Sequence, residues 1–129
     1  MEAQEIFEAV VKHMMTMGRR AGYVKEDGKF ECRYRTNHGD KCVAGMLIPD
    51  ENYTTAMEGL YIGHVLTDYP ELPKFMHKNR QLLGRLQLIH DRHSWDRIEQ
   101  GFQWVAEDFE LNTRFLSQYD FTQFAGREV

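Results

Sequence analysis

The sequence lacks the features that mark a secreted or membrane-spanning protein. Its 129 residues include two cysteines and three prolines, and its apolar runs are only a few residues long. A membrane-spanning helix needs roughly 20 apolar residues. The first five residues, Met-Glu-Ala-Gln-Glu, lack the basic-then-apolar pattern of a secretory signal. We therefore expect a cytoplasmic protein with no membrane segment.

Strong net charge is also absent. Twenty acidic against 16 basic residues give a net charge of −4, whereas a basic field is what attracts nucleic acid. Nucleic acid is therefore not the expected partner. The hydrophobic content of 42%, with eight Phe, six Tyr and two Trp, can form an ordinary core. No linker or repeat divides the chain, so we predict a single domain over residues 1–129.

The two cysteines, Cys32 and Cys42, are expected to be free thiols. A spacing of ten residues is not a recognised zinc-ligand pattern. If both lie in one hairpin turning near residues 37–40, they fall on opposite faces or diagonally. Neither register brings the Cβ atoms within the roughly 3.5–4.5 Å that a disulfide needs. We expect reduced cysteines that pack as small apolar side chains.

Amphipathic periodicity predicts helices over residues 3–17, about 74–91 and 94–110. Gly18 permits a left-handed exit from the first helix, and Ser94 is a suitable N-cap for the last. Only short helical turns are expected between residues 54 and 73. The three apolar stripes are Ile6, Val10, Met14 and Met17; Leu82, Leu83, Leu86 and Ile89; and Trp95, Ile98, Phe102, Val105 and Phe109.

An antiparallel β-hairpin is predicted over about residues 30–48. Apolar and charged residues alternate from Phe30 to Arg35, and turn chemistry follows at residues 37–40 (Asn-His-Gly-Asp). The second strand, residues 41–48, is almost wholly apolar, so either both its faces are covered or it bends at Gly45. The predicted fold class is α+β, with an N-terminal helix, this hairpin and a C-terminal helical pair that covers it.

Three cations are candidates for a partner contact. Arg33 and Arg35 lie on one face of the first predicted strand, with Lys41 across the turn. Guanidinium groups bind phosphate or carboxylate in a bidentate manner. The alternative is a solvated strand face that charge protects from aggregation.

The segment His90-Asp91-Arg92-His93 could place two imidazoles and a carboxylate near a metal. In the alternative interpretation, which we favour, His90 continues the stripe of Leu83 and Leu86. It then donates a hydrogen bond to a carbonyl or carboxylate at a helix–helix junction. Phosphate loops, nucleophile elbows and zinc-protease motifs are absent from the sequence. We therefore predict no catalytic residue, no cofactor and no resident metal.

Several strings together resemble a family of small bacteriophage and prophage proteins. The family pattern is Tyr-Arg…Gly-x-Lys-Cys-Ala-x-Gly-x-Leu-Ile-Pro-Asp…Tyr…Met-Glu-Gly. The chain departs from it at Thr36, often a glycine in the family, and in small apolar exchanges near Val43. The strings that carry the likeness, which spans residues 5–112, are 32–35 (Cys-Arg-Tyr-Arg), 39–50 (Gly-Asp-Lys-Cys-Val-Ala-Gly-Met-Leu-Ile-Pro-Asp), Tyr53 and 57–59 (Met-Glu-Gly).

The resemblance implies a viral accessory gene product that acts in bacterial cytoplasm, and it supplies no catalytic residues. Proteins of this kind often bind host machinery, so we predict non-catalytic binding of a host or viral protein. One alternative is a metal-assisted hydrolase or nucleic-acid-processing enzyme that uses His90, Asp91 and His93. The aromatic segment 115–124 also leaves a homodimer open.

Overall fold

A computed structural model describes residues 1–92 and 94–124, and within them the chain forms six α-helices and a two-stranded sheet. Short 3₁₀ turns lie at Thr55–Met57, Trp95–Arg97, Arg114–Gln118 and Phe121–Phe124. This composition confirms the predicted α+β class. The helices are α1 (Ala3–Met17), α2 (Val43–Leu47), α3 (Ile62–Asp68), α4 (Lys74–Lys78), α5 (Arg80–Arg92) and α6 (Ile98–Asp108); the strands are β1 (Gly22–Val24) and β2 (Phe30–Cys32).

Helix α1 has the bounds that its sequence predicts. At its start, the Glu5 carboxylate accepts the backbone N–H of Glu2 at 2.9 Å, one half of a capping box. At its end, Gly18 adopts the left-handed conformation (φ 66°) and donates to the carbonyl of Met14 at 2.9 Å. The apolar stripe between these ends is buried against α2 and α5.

The β-hairpin lies earlier in the chain than the predicted range of about 30–48. Its strands are β1 and β2, paired antiparallel with Gly22 opposite Cys32. Asp27 and Gly28 lie in the connecting turn, where Gly28 has a φ of 82°. Asp-Gly between two short strands is a strong hairpin signal, and it lies outside the range predicted for the hairpin. The predicted turn at 37–40 exists, but only a single bridge, Arg35 to Lys41, pairs the segments beside it.

The predicted second strand, residues 41–48, is wrong, because residues 43–47 form α2. The Cys42 thiol caps this helix by accepting the N–H of Gly45 at 3.4 Å. A short apolar run suits a buried strand and a buried helical turn equally well, so periodicity alone could not decide between them. Gly45 also passes very close to Tyr34: a Cβ at this position would lie 2.0 Å from the Tyr34 carbonyl oxygen.

Helix α5 is central and contacts α1, α2, α3, α4 and α6. The predicted helix over 74–91 is interrupted at Asn79, whose side-chain amide donates to the carbonyl of Phe75 at 2.8 Å. The predicted helix over 94–110 is a 3₁₀ turn followed by α6. Among the residues described, none of the helices is long and apolar enough to cross a membrane.

The segment that follows α6 packs back on the body of the domain. Phe115 meets Phe7 of α1 edge-on, with ring centroids 5.3 Å apart. Phe121 lies against Phe102 of α6 at 6.2 Å. These contacts join both ends of the described chain to one hydrophobic cluster.

Candidate functional site

The first candidate site lies where the end of α5 meets β2. His90 is only 1% exposed. Its Nδ1 lies 2.8 Å from a carboxylate oxygen of Asp91, and its Nε2 lies 3.3 Å from the amide nitrogen of Ala21. Because a backbone amide only donates, Nε2 accepts, and the proton of the neutral ring is on Nδ1 and points at Asp91. His93, the third residue of the predicted set, lies outside the described residues.

Cys32 completes a cluster that was not among the predicted sites. Its sulfur lies 3.9 Å from His90 Nδ1, and Cys32, His90 and Asp91 are named the Cys-His-Asp cluster below. Gln87 supports it by donating from Nε2 to Asp91 at 2.8 Å and to the Cys32 sulfur at 3.4 Å. The Oε1 atom of Gln87 accepts a hydrogen bond from the backbone N–H of Ala44 at 3.1 Å. Gln87 thereby links α5, β2 and α2.

Only part of this cluster could be read from the sequence. Gln87, His90 and Asp91 are three and four residues apart, which places them on one face of a helix. Cys32 lies far away in sequence, and it joins them only because β2 packs against α5.

The charge states of the cluster follow from burial and neighbours. A hydrogen bond with the Cys42 thiol and burial raise the pKa of Cys32, so Cys32 is a neutral thiol. Burial disfavours the charged forms of both His90 and Asp91, but the hydrogen bonds and charge interactions within the cluster together outweigh it. The pKa of His90 is raised and the pKa of Asp91 is lowered. Asp91 is therefore ionised at neutral pH.

This arrangement differs from a nucleophilic triad. A catalytic histidine takes the nucleophile's proton on one ring nitrogen while the other is held by the carboxylate. Here Nδ1 faces both Cys32 and Asp91, and Nε2 is used by Ala21. With its thiol pKa raised as well, Cys32 is not an activated nucleophile. The three ligand atoms do lie within 4.8 Å of one another, which is compatible with a shared metal ion.

The three cations predicted to contact a partner have partners within the chain. Arg35 binds Asp50 at 2.8 Å and lies over the ring of Tyr53, 4.6 Å from its centroid. Lys41 approaches the same Asp50 oxygen at 3.7 Å. Arg33 approaches Glu58 at 3.6 Å. A partner contact through these cations stays a prediction, and an incoming acid would compete with the internal carboxylates.

The second candidate site is an open groove of about 630 Å³ between α3 and α5, called the α3–α5 groove below. Two apolar side chains on its walls are exposed, Tyr61 at 74% and Leu88 at 40%. Gly63 and Gly84 also line it, and a Cβ at either position would meet no atom within 4 Å. The groove therefore has free apolar surface and unfilled space.

The charges beside the α3–α5 groove are mostly positive. Arg80 donates from Nη2 to the carbonyl of Gly63 at 2.8 Å and to Thr67 Oγ1 at 3.1 Å. Within residues 1–92 and 94–124, no carboxylate pairs with Arg80. Arg85 pairs with Asp108 at 2.7 Å. An uncompensated cation thus stands beside the exposed apolar walls.

A smaller cleft of about 300 Å³ shares part of the groove's lining and reaches the Cys-His-Asp cluster. Tyr61, Ile62, Gln87 and Asp91 line both spaces, and Cys32 lines the cleft. The two candidate sites are therefore neighbours on one side of α5.

Comparison of the chain with protein-family models, with curated proteins and with solved structures gave no match. The resemblance carried by residues 32–59, and everything that it implies, stays a prediction. The function is therefore argued from the groove and the cluster.

Proposed function

We propose that this chain is a non-catalytic binding protein whose α3–α5 groove takes an apolar segment of a host or viral protein. Exposed apolar surface beside unfilled space is the observation that carries the proposal. Tyr61 and Leu88 provide the contact surface, and tyrosine in particular combines a large apolar ring with a polar tip. The bacteriophage accessory role and the bacterial cytoplasm suggested by the sequence belong to the same proposal.

The chemistry of the groove specifies the bound segment. One or two apolar side chains would occupy the space above Gly63 and Gly84, where no Cβ atoms stand. An acidic residue beside them would pair with Arg80, which has no carboxylate partner among the described residues. Charge-assisted pairing of arginine with carboxylate is directional and favours one orientation of the segment.

The geometry of the Cys-His-Asp cluster favours a binding protein over an enzyme. His90 has both ring nitrogens engaged, and Cys32 is held as a neutral thiol. The chain then needs no turnover to act, since occupying a partner's surface is sufficient.

The decisive test fills the groove without weakening the fold. Gly84→Leu replaces a helical glycine by a good helix former and places its side chain in open space. Wild-type protein, Gly84→Leu and the control Gln103→Leu, which adds an exposed leucine on α6 outside the groove, are used to capture partners from bacterial host lysate. We expect a partner that is retained by wild type and Gln103→Leu and lost with Gly84→Leu.

The captured partner is then purified and its affinity measured against a charge variant. Arg80→Glu should weaken binding by about tenfold or more, because it opposes the acidic residue of the bound segment. Equal binding by wild type and Gly84→Leu would contradict the proposal. So would a partner whose binding segment is basic and is strengthened by Arg80→Glu.

A further inference from the structure

Three donor atoms of different chemistry converge at the end of α5. The Cys32 sulfur and His90 Nδ1 are 3.9 Å apart, Nδ1 and the Asp91 oxygen are 2.8 Å apart, and all three lie within 4.8 Å of one another. Tetrahedral Zn²⁺, with bonds of about 2.0–2.3 Å, holds its ligand atoms roughly 3.2–3.7 Å apart. Side-chain adjustments of about an ångström would bring the cluster to that geometry.

We propose that Cys32 Sγ, His90 Nδ1 and the Asp91 carboxylate form a binding site for a thiophilic divalent cation of the zinc class. The inference goes beyond the groove proposal and does not depend on it. A sulfur, an imidazole nitrogen and a carboxylate oxygen form a donor set suited to Zn²⁺, whereas Mg²⁺ and Ca²⁺ prefer oxygen donors alone. Two of the three ligand residues, Cys32 and Asp91, line the cleft of about 300 Å³, which gives an ion a route to the cluster.

A dication suits the charge of these ligands in their metal-binding forms. A thiolate and a carboxylate carry two negative charges, and M²⁺ brings the sum to zero, which suits a largely buried place. Binding at His90 Nδ1 also requires that the proton of the neutral imidazole be on Nε2.

Gln87 is a positioning residue for this site. Its Nε2 already donates to both the Cys32 sulfur and the Asp91 oxygen. Such outer-shell donors orient metal ligands and stabilise a thiolate. The Ala44 amide holds the opposite end of the Gln87 side chain, so its orientation is set before an ion arrives.

Metal binding has a structural consequence at Ala21. In the structure, the Ala21 amide donates to His90 Nε2. With a metal ion on Nδ1, the ring proton is on Nε2, and two N–H donors would face each other. The hydrogen bond must therefore break, and the turn between α1 and β1 must shift. Because Ala21 is fully buried, its amide signal is a specific reporter of occupancy at Nδ1.

The test adds Co²⁺ to the purified full chain, because a cobalt–thiolate bond produces a near-ultraviolet charge-transfer band. We expect one Co²⁺ per chain and its displacement by Zn²⁺. The thiolate band should vanish in Cys32→Ser and persist in Cys42→Ser, in which serine can keep the capping role at α2. Asp91→Asn should weaken Zn²⁺ binding by at least the roughly 10–100-fold that loss of an outer-shell partner costs.

A second readout covers variants that fold poorly. In the wild-type chain, Zn²⁺ should shift the amide resonance of Ala21 more than that of Gly45, which lies at the other cysteine. Absence of a thiolate band in excess Co²⁺, or a band that survives Cys32→Ser and disappears in Cys42→Ser, would overturn the proposal. An unmoved Ala21 resonance at saturating Zn²⁺ would do the same.

Discussion

The Oε1 atom of Glu58 lies 2.8 Å from the backbone nitrogen of Tyr34 and accepts its hydrogen bond. The second carboxylate oxygen accepts the N–H of Arg35 at 3.1 Å and the hydroxyl of Tyr53. The Glu58 side chain is only 7% exposed. One buried carboxylate thus satisfies two consecutive backbone amides.

Replacing Glu58 should therefore lower the free energy of unfolding. Glu58→Ala leaves two backbone donors without their acceptor, and we expect a loss of about 2–4 kcal/mol in the free energy of unfolding. Glu58→Gln keeps one acceptor oxygen and should lose less. Urea unfolding measures both, with the exposed Glu51→Ala as a control that should change stability by less than about 0.5 kcal/mol. Equal midpoints for Glu58→Ala and Glu51→Ala would show that Glu58 has no such role.

Two glycine-to-alanine variants should have opposite effects. At Gly45 a Cβ would lie 2.0 Å from the Tyr34 carbonyl oxygen, so Gly45→Ala forces α2 away from Tyr34 and should cost at least about 2 kcal/mol. At Gly84 a Cβ meets nothing within 4 Å, and Gly84→Ala should stabilise α5 by about 0.5–1 kcal/mol. Thermal unfolding of the pair tests this, and effects of the same sign would contradict the described packing.

Gln87→Glu should be destabilising in a pH-dependent way. The donor that now bonds Asp91 at 2.8 Å would become a carboxylate oxygen, so two like charges would meet. The folded state raises the pKa of the introduced carboxyl above its unfolded value of about 4.3. The loss of folding stability therefore grows as pH rises above that value and becomes small in acid. Unfolding at pH 7 and pH 4 measures it, with the exposed Gln81→Glu as the control that should show no such trend.

The ion pair between Arg19 and Asp40 should contribute stability only above acid pH. Hydrogen bonding to Arg19, at 2.7 and 2.8 Å, lowers the pKa of Asp40 below its ordinary 3.8. A lowered carboxyl pKa stabilises the fold above the unfolded value, and this is lost as pH falls through the folded value.

Arg19→Gln should therefore be less stable than wild type at pH 7, and the difference should shrink below about pH 4. We expect the difference to be small, because Arg19 is largely exposed and solvent screens the pair. Lys12→Gln, an exposed change on α1, supplies the baseline. A difference that grows in acid would have the wrong sign for this pair.

Local signals predicted α1 and the buried stripes of α5 and α6, and the structure confirms them. Repeated apolar spacing and a C-terminal glycine act within a few residues of each other, so the sequence displays them directly. An antiparallel hairpin is present as predicted, but its location was predicted wrongly for a related reason. Asp27-Gly28 and residues 37–40 both have turn-forming sequences. Because an apolar run follows Cys42, the second strand was predicted there, and the hairpin turn was placed at residues 37–40 instead of at Asp27-Gly28.

By itself, the sequence determined the fold class, the first helix with its glycine exit, and the stripes that form the core. Tertiary structure alone decided that residues 43–47 form a helix, since their burial between α1 and α5 is a long-range effect. It also decided that Cys32 meets His90 and Asp91, and that Tyr61 and Leu88 share a groove. These contacts depend on how β2, α3 and α5 pack together. The spacing of residues along the chain does not predict contacts between elements that are distant in sequence.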